Sequence, residues 1–205
     1  MPYGQVLPGP HGDNDCGKAM RSVLVVLAGL VVLASEAYAF SDEDLRLLNQ
    51  NNQCYQCDLQ DVDLSGKILH VARLGNSNLV GARMDRIEAY EMDLSGANLT
   101  DADLSGARML FSIFVRTNLT KANLGDAMLA VTDMRQAILA GANLSRANLG
   151  SADLRGVDLT GAFLYRTILY RTKLLYAKGL TQEQLDTACG NETTKLPPGL
   201  VVRPC

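Results

Sequence analysis

The chain has no tryptophan, 5% aromatic residues and two histidines among 205 residues. That scarcity excludes a base-stacking nucleic-acid platform and leaves little for imidazole-based catalysis or metal binding. Charge of one sign is lacking too: 19 Lys and Arg stand against 22 Asp and Glu, a net of −3. Neither a basic stripe for nucleic acid nor a strong acidic field follows from that balance. No apolar run reaches the about 20 residues of a membrane-spanning helix. G-x-S-x-G, H-E-x-x-H and a phosphate-cradling glycine loop are also missing. The sequence shows no active site, and points to a protein that is not an enzyme and needs no cofactor or metal.

What the chain does have is a strict short period. From Cys57 to Tyr176 it repeats every five residues, twenty-four times, without insertion or deletion. The central position is Leu in nineteen repeats, Met at Met84, Met109 and Met134, and Phe at Phe114; Ala89 alone breaks the pattern. Two residues earlier the chain places a small residue, most often Ala. A period of five smears an apolar stripe around a helix and violates the alternation of a strand. Both objections vanish if each pentad is a short extended piece followed by a corner. Its first and third residues then point to one side. Asp or Asn before the Leu, and Ser, Thr or Gly after it, suit exposed turns. Such a repeat dictates a solenoid.

The motif A-(D/N)-L-x-x, as in Ala97-Asn98-Leu99, Ala102-Asp103-Leu104, Ala142-Asn143-Leu144 and Ala152-Asp153-Leu154, resembles the pentapeptide-repeat family. The resemblance implies an all-β solenoid: a right-handed quadrilateral parallel β-helix with four pentads per coil and about six coils. At about 4.8 Å per rung the column would stand roughly 29 Å tall. Lys67, Ile87 and Met92 break the small-residue rule and, with Ala89, predict a local distortion in the second coil or at its boundary. The family also includes cytoplasmic members that bind DNA gyrase as acidic mimics of duplex DNA. That alternative fits poorly here, because residues 40–205 carry 17 basic and 19 acidic residues, a mixed surface.

The ends of the array carry other signals. Arg21, the apolar run Val23 to Ala34 and the small-x-small trio Ala37-Tyr38-Ala39 read as a secretory signal peptide over 20–39, cleaved between Ala39 and Phe40. Residues 1–19 read as an upstream extension. The expected location is the bacterial periplasm or outside the cell, with no stable membrane insertion after cleavage. Ser41-Asp42-Glu43-Asp44 opens a short N-terminal helix within a cap over 40–56. Thr181-Gln182-Glu183-Gln184 is a capping box leading to Gly190 as a stop, within a C-terminal cap and tail over 177–205. Leu180, Leu185 and Leu196 would cover the last coil.

Cys16 falls in the leader, leaving Cys54, Cys57, Cys189 and Cys205, an even number suited to an exported chain. Cys189 and Cys205 can meet within the tail. Cys54 and Cys57 would form a tight local ring. The same spacing also suits a thiol redox pair or half of a zinc site.

If four pentads make a coil, every fourth repeat stacks on one wall. One wall gathers Ile68, Val71, Tyr90, Leu110, Phe111, Met128, Ala130, Val131, Ile168 and Tyr170 at outward positions. Leu110, Phe111, Met128 and Val131, with Tyr90 and Tyr170, form the candidate interface, since a contiguous apolar patch marks a docking surface. The expected function is a non-enzymatic scaffold for protein–protein interaction or self-association, with a homodimer as the simplest arrangement. Nucleic acid is not an expected partner. Arg166, Arg171 and Lys173 among Tyr165, Tyr170 and Tyr176 form a looser feature that could meet an anionic surface.

Overall fold

The structure, a computed structural model, describes Val26–Leu27, Leu30–Val31 and residues 40–205. The upstream extension, most of the leader, Cys16 and Ala39 lie outside the described residues. Within the leader, β1 (Val26–Leu27) and β2 (Leu30–Val31) pair antiparallel. No described helix is long and apolar enough to cross a membrane.

The pentads build a solenoid of parallel bridges twenty residues apart, from Gln53↔Arg73 to Asp158↔Lys178. A step of twenty is four pentads, so the column has four sides. Each is named here by its first central residue: the Leu59, Leu64, Leu69 and Leu74 walls. A wall segment is extended for a single bridged residue only, because the chain turns immediately. In most pentads the carbonyl of the central residue accepts from the amide three residues on, as Leu94 O does from Ala97 N at 3.0 Å; after Ala89 and Leu129 a side-chain hydroxyl, of Ser112 and Thr132, bonds that carbonyl instead. The fifth residue of every pentad has positive φ, from +55° to +71°, the conformation a type II turn demands at its third residue.

Side chains follow from this backbone. Leu59, Leu79, Leu99, Leu119 and Leu139 stack fully buried along one inner edge. The inner Ala position admits Ser or Thr where the hydroxyl finds a carbonyl one coil below. Ser112 donates to Ala89 O at 2.8 Å, Thr117 to Leu94 O at 2.7 Å and Thr167 to Leu144 O at 2.8 Å. A buried hydroxyl without such a partner would cost about 1–3 kcal/mol. The Asp or Asn before each Leu accepts from the amide two residues on, as Asp103 Oδ1 does from Ser105 N at 3.0 Å.

The distortion expected near Ala89 is confined to the turn: Met92 N donates to Ser112 Oγ at 3.0 Å, which itself donates to Ala89 O at 2.8 Å, in place of a direct Met92–Ala89 turn bond. The register is kept, since Ala89 N donates to Arg108 O at 2.9 Å and Glu88 bridges to Arg108. Ile87 and Met92 are fully buried on either side of Ala89. Two bulky inner residues thus accompany one small central residue, and core volume is kept.

The array begins one pentad before Cys57, since Gln53 bridges to Arg73 and Cys54 N donates to Arg73 O at 2.8 Å. Below it lies α1 (Asp42–Asn51), capped by Ser41, whose side chain accepts from Asp44 N. Leu48 of α1 is fully buried. Asp44 Oδ2 accepts from Asp58 N at 2.8 Å, and Ser41 N donates to Asp58 O at 3.0 Å. The open edge of the Leu59 wall, a hazard for unwanted strand pairing, is thereby closed.

At the other end α2 (Gln182–Thr187) has the capping box between Thr181 and Gln184. The helix stops at Thr187 with Ala188 as its cap, ahead of Gly190. Helix α2 takes the place of the next Leu64-wall segment, and Gln184 Nε2 donates to Leu159 O and Ala162 O, both at 2.9 Å. The chain then rejoins the stack through Ile168↔Cys189 and Lys173↔Lys195, while Gly190 pairs with Pro204. Leu185 is buried, and Leu180 and Leu196 pack against the core. Disulfides join Cys54 to Cys57 and Cys189 to Cys205.

Candidate functional site

The Leu69 wall carries more exposed large apolar side chains than any other wall, although Phe163 and Tyr165 stand out from the Leu64 wall, Ile113 and Tyr176 from the Leu74 wall and Ile138 from the Leu59 wall. Its bridged column runs Ile68, Glu88, Arg108, Met128, Asn148, Ile168. Beside it run His70, Tyr90, Leu110, Ala130, Gly150 and Tyr170. The corner column is Val71, Glu91, Phe111, Val131, Ser151 and Arg171. Phe111, Met128 and Val131 are exposed by 55%, 37% and 48% on adjacent rungs, and Leu110 lies half-buried among them. The structure brings these four candidates together. Tyr90 is half-buried under His70, the rings stacked at 4.8 Å, and His70 Nδ1 accepts from Tyr90 N at 3.2 Å. Tyr170 stands beyond a polar rung but leans back over Gly150: a Cβ there would meet its ring at 3.1 Å. The wall thus has a centre that is apolar apart from the exposed Arg108, with polar rungs on both sides and an aromatic residue toward each end.

Conformation singles out this wall as strongly as exposure does. Seven pentads put Gly at the strained corner, where an L-residue costs about 1–2 kcal/mol. Among the corners of residues 57–176, only Val71 (φ 59°) and Val131 (φ 61°) are β-branched, and both belong to the Leu69 wall. Phe111, between them, has φ 61°. The pentad frame predicts the placement of these residues, but no sequence signal gives their strain without the turn geometry.

Other clusters are less promising. A shallow groove on the Leu74 wall is lined by Arg116, Arg135, Arg155, Gly156 and Tyr176. Arg135 and Arg155 already fork onto Asp133 and Asp153. The Arg135 hydrogen bond holds the Asp133 carboxyl below its ordinary value. Burial raises that of Asp153, and the Arg155 fork more than offsets it. With those charges matched internally, the groove has little left for an anion. Charges elsewhere are paired in the same way, as in Arg146–Asp126 and Arg83–Asp63, so no wall presents one sign. Arg166 lies 5.2 Å from the Tyr165 ring centre, while Arg171 and Lys173 are exposed nearby.

Sequence reasoning missed Asp44 beside the N-terminal cysteines. Ligand atoms of Asp44, Cys54 and Cys57 lie within 4.8 Å of one another, all buried. The sulfurs are bonded to each other and offer no thiolate, and the carboxylate is engaged by Asp58 N. That arrangement locks the cap to the first rung. His70 serves the wall through its stack on Tyr90 and the backbone bond its Nδ1 accepts.

A four-sided stack of bridged pentads with a Leu core and helical caps defines the class as a β-helical repeat scaffold. Residues 93–178 are pentapeptide repeats of the family of that description: 93–129, 117–156 and 147–178 match it, in 8 copies. No curated protein matches the chain. Among solved structures, QnrB1, a plasmid-mediated fluoroquinolone resistance protein, is 13% identical, over 68% of this chain and 84% of that one, at a TM-score of 0.47. HetL, involved in heterocyst differentiation regulation in the cyanobacterium Nostoc sp. strain PCC 7120, is 23% identical, over 76% and 99%, at 0.32. Rfr23 from the cyanobacterium Cyanothece 51142 is 26% identical, over 75% and 97%, at 0.27. Likenesses of this size transfer no property of those proteins to this chain.

Proposed function

We propose that this protein is an exported, non-enzymatic scaffold whose Leu69 wall docks a protein. The observation that carries the reading is the corner column: two β-branched residues and a phenylalanine, exposed and held at positive φ. For folding the choice is a net loss, since Gly serves the same corner elsewhere without the strain and the stiffer unfolded chain offsets that strain only in part. Strain retained at a surface is best explained by what the surface contacts. A photo-crosslinking residue at position 111, compared with one at position 101 on the Leu59 wall, tests this in the producing cell. Crosslinking to protein at 111 and not at 101 is the expected result; none at 111, or equal yields, would refute the docking wall.

Export is supported by the two disulfides, which persist in oxidising compartments, together with the leader pattern over 20–39. The right-handed, six-coil form implied by the family fits bridges recurring every twenty residues. Intact mass with and without reduction tests export. A chain that begins at Phe40 and gains four protons on reduction is expected, whereas free thiols in an uncleaved chain would contradict it.

A further inference from the structure

We infer that the last coil is a second binding site, a collar for an anionic polysaccharide built of uronic acid units. It lies beyond the docking wall and shares only Tyr170 with it. Charge is the first observation. Over residues 159–182 the chain has no carboxylate side chain, while Arg166, Arg171, Lys173 and Lys178 stand exposed. Among the described residues Arg166, Arg171 and Lys178 enter no ion pair, and Lys173 reaches Asp153 only at 3.8 Å. The cap above brings Glu183, Asp186 and Glu192, none of them paired with these cations. Lower coils match their charges internally, as Arg135 and Arg155 do. A guanidinium fork left open to solvent suits a carboxylate from outside.

Aromatic rings gather on the same coil. Phe163, Tyr165, Tyr170 and Tyr176 are all exposed there. Tyr165-Arg166 and Tyr170-Arg171 repeat in consecutive pentads, so a ring and a guanidinium recur together at successive corners. The Tyr170 ring is a prepared platform. A Cβ at Gly150 would stand 3.1 Å from its Cε1 and Cζ. Gly150 is buried and lacks a positive φ, so no turn asks for glycine there; the close approach of the ring does. A sugar ring offers its C–H face to such a platform and its hydroxyls to the polar edge. Tyr165, Tyr170 and Tyr176 stand on the Leu64, Leu69 and Leu74 walls. No flat bilayer surface touches three walls at once, whereas a flexible chain following the coil does. The choice of a glycan over a single-stranded nucleic acid rests on the export reading above.

Affinity electrophoresis of the oxidised protein, in gels carrying polygalacturonate or neutral dextran, tests the collar. Retardation by polygalacturonate and not by dextran is expected. Arg171→Gln should weaken it roughly tenfold, the loss of one hydrogen bond to a charged group. Gly150→Ala should weaken it several-fold, because the Tyr170 ring must lift. Arg135→Gln removes the same charge from a matched pair and should change nothing. Phe111→Ser should also change nothing, so the collar and the docking wall fail separately. Each variant is compared at an unchanged circular-dichroism spectrum. No retardation, equal retardation by dextran, or undiminished retardation of Arg171→Gln or Gly150→Ala would overturn the proposal. Equal losses from Arg171→Gln and Arg135→Gln would show net charge alone at work and overturn it too. Tighter binding to phosphatidylglycerol vesicles or to a thymidine oligonucleotide would overturn it in favour of a membrane or a nucleic acid, whatever the outcome for export.

Discussion

Gly66→Val isolates the cost of a β-branched residue at the corner. Gly66 has φ +62°, and nothing lies within 4 Å of where a Cβ would stand. Packing therefore does not oppose the substitution, and conformation alone decides its effect. A left-handed L-residue costs about 1–2 kcal/mol, and the stiffer unfolded chain returns about 0.4–1 kcal/mol. The net is a destabilisation of about 1 kcal/mol, a fall in Tm of about 2–4 °C for a domain of this size. Thermal unfolding followed by circular dichroism, disulfides intact, measures it. Gly66→Asn is the control, since Asn tolerates this region, and it should melt near the parent. A Gly66→Val chain melting at or above the parent would refute the reasoning. Val71 and Val131 would then carry no strain, and their presence on one wall would imply nothing about docking.

The tail, the carboxylates and the inner hydroxyls give further tests. Cys205→Ser opens a loop between residues 16 apart, which should cost about 3 kcal/mol in the chain-entropy model; unchanged amide-exchange protection over 189–205 would contradict it. Asp63, Asp126 and Asp133 are held below ordinary carboxylate values by hydrogen bonds from Ser65, Arg146 and Arg135. A lowered folded value means stability that is present above the unfolded value of about 4 and lost as pH falls through the folded ones. Tm should therefore drop steadily below about pH 4, and a flat profile would sink the idea. Thr117→Val keeps the shape of a position that elsewhere holds Val62 and Val157 but removes the bond to Leu94 O. It should cost about 1 kcal/mol, measurable by urea unfolding, with a cost near zero counting against a hydroxyl role.

Much of the fold was legible because the period leaves the backbone few choices. A Leu every five residues with a small residue two before it allows only inward first and third positions. Assigning Leu110, Phe111, Met128 and Val131 to one wall required only the count of four pentads per coil, which the ladder bears out. The ends were harder, since no repeat constrains them. Cys54 takes a central core position one pentad before the Leu run begins, where composition gave no hint. Gly190 looked like a helix stop but pairs with Pro204, because the chain returns to the stack after α2. The distortion expected at Ala89 stays within one turn, because the inner bulk of Ile87 and Met92 keeps the core filled and the Ser112 hydroxyl bridges the opened backbone bond. Strain at Val71 and Val131 was out of reach, since it depends on a turn type that the period permits but does not name.

Photo-crosslinking in the producing cell from position 111, beside position 101 on the Leu59 wall and a position-111 chain that also carries Val131→Asp, tests the docking wall most directly. The account predicts a protein adduct from position 111 that is absent at 101 and lost with Val131→Asp. No adduct at 111, or an adduct that persists undiminished with Val131→Asp, would contradict it.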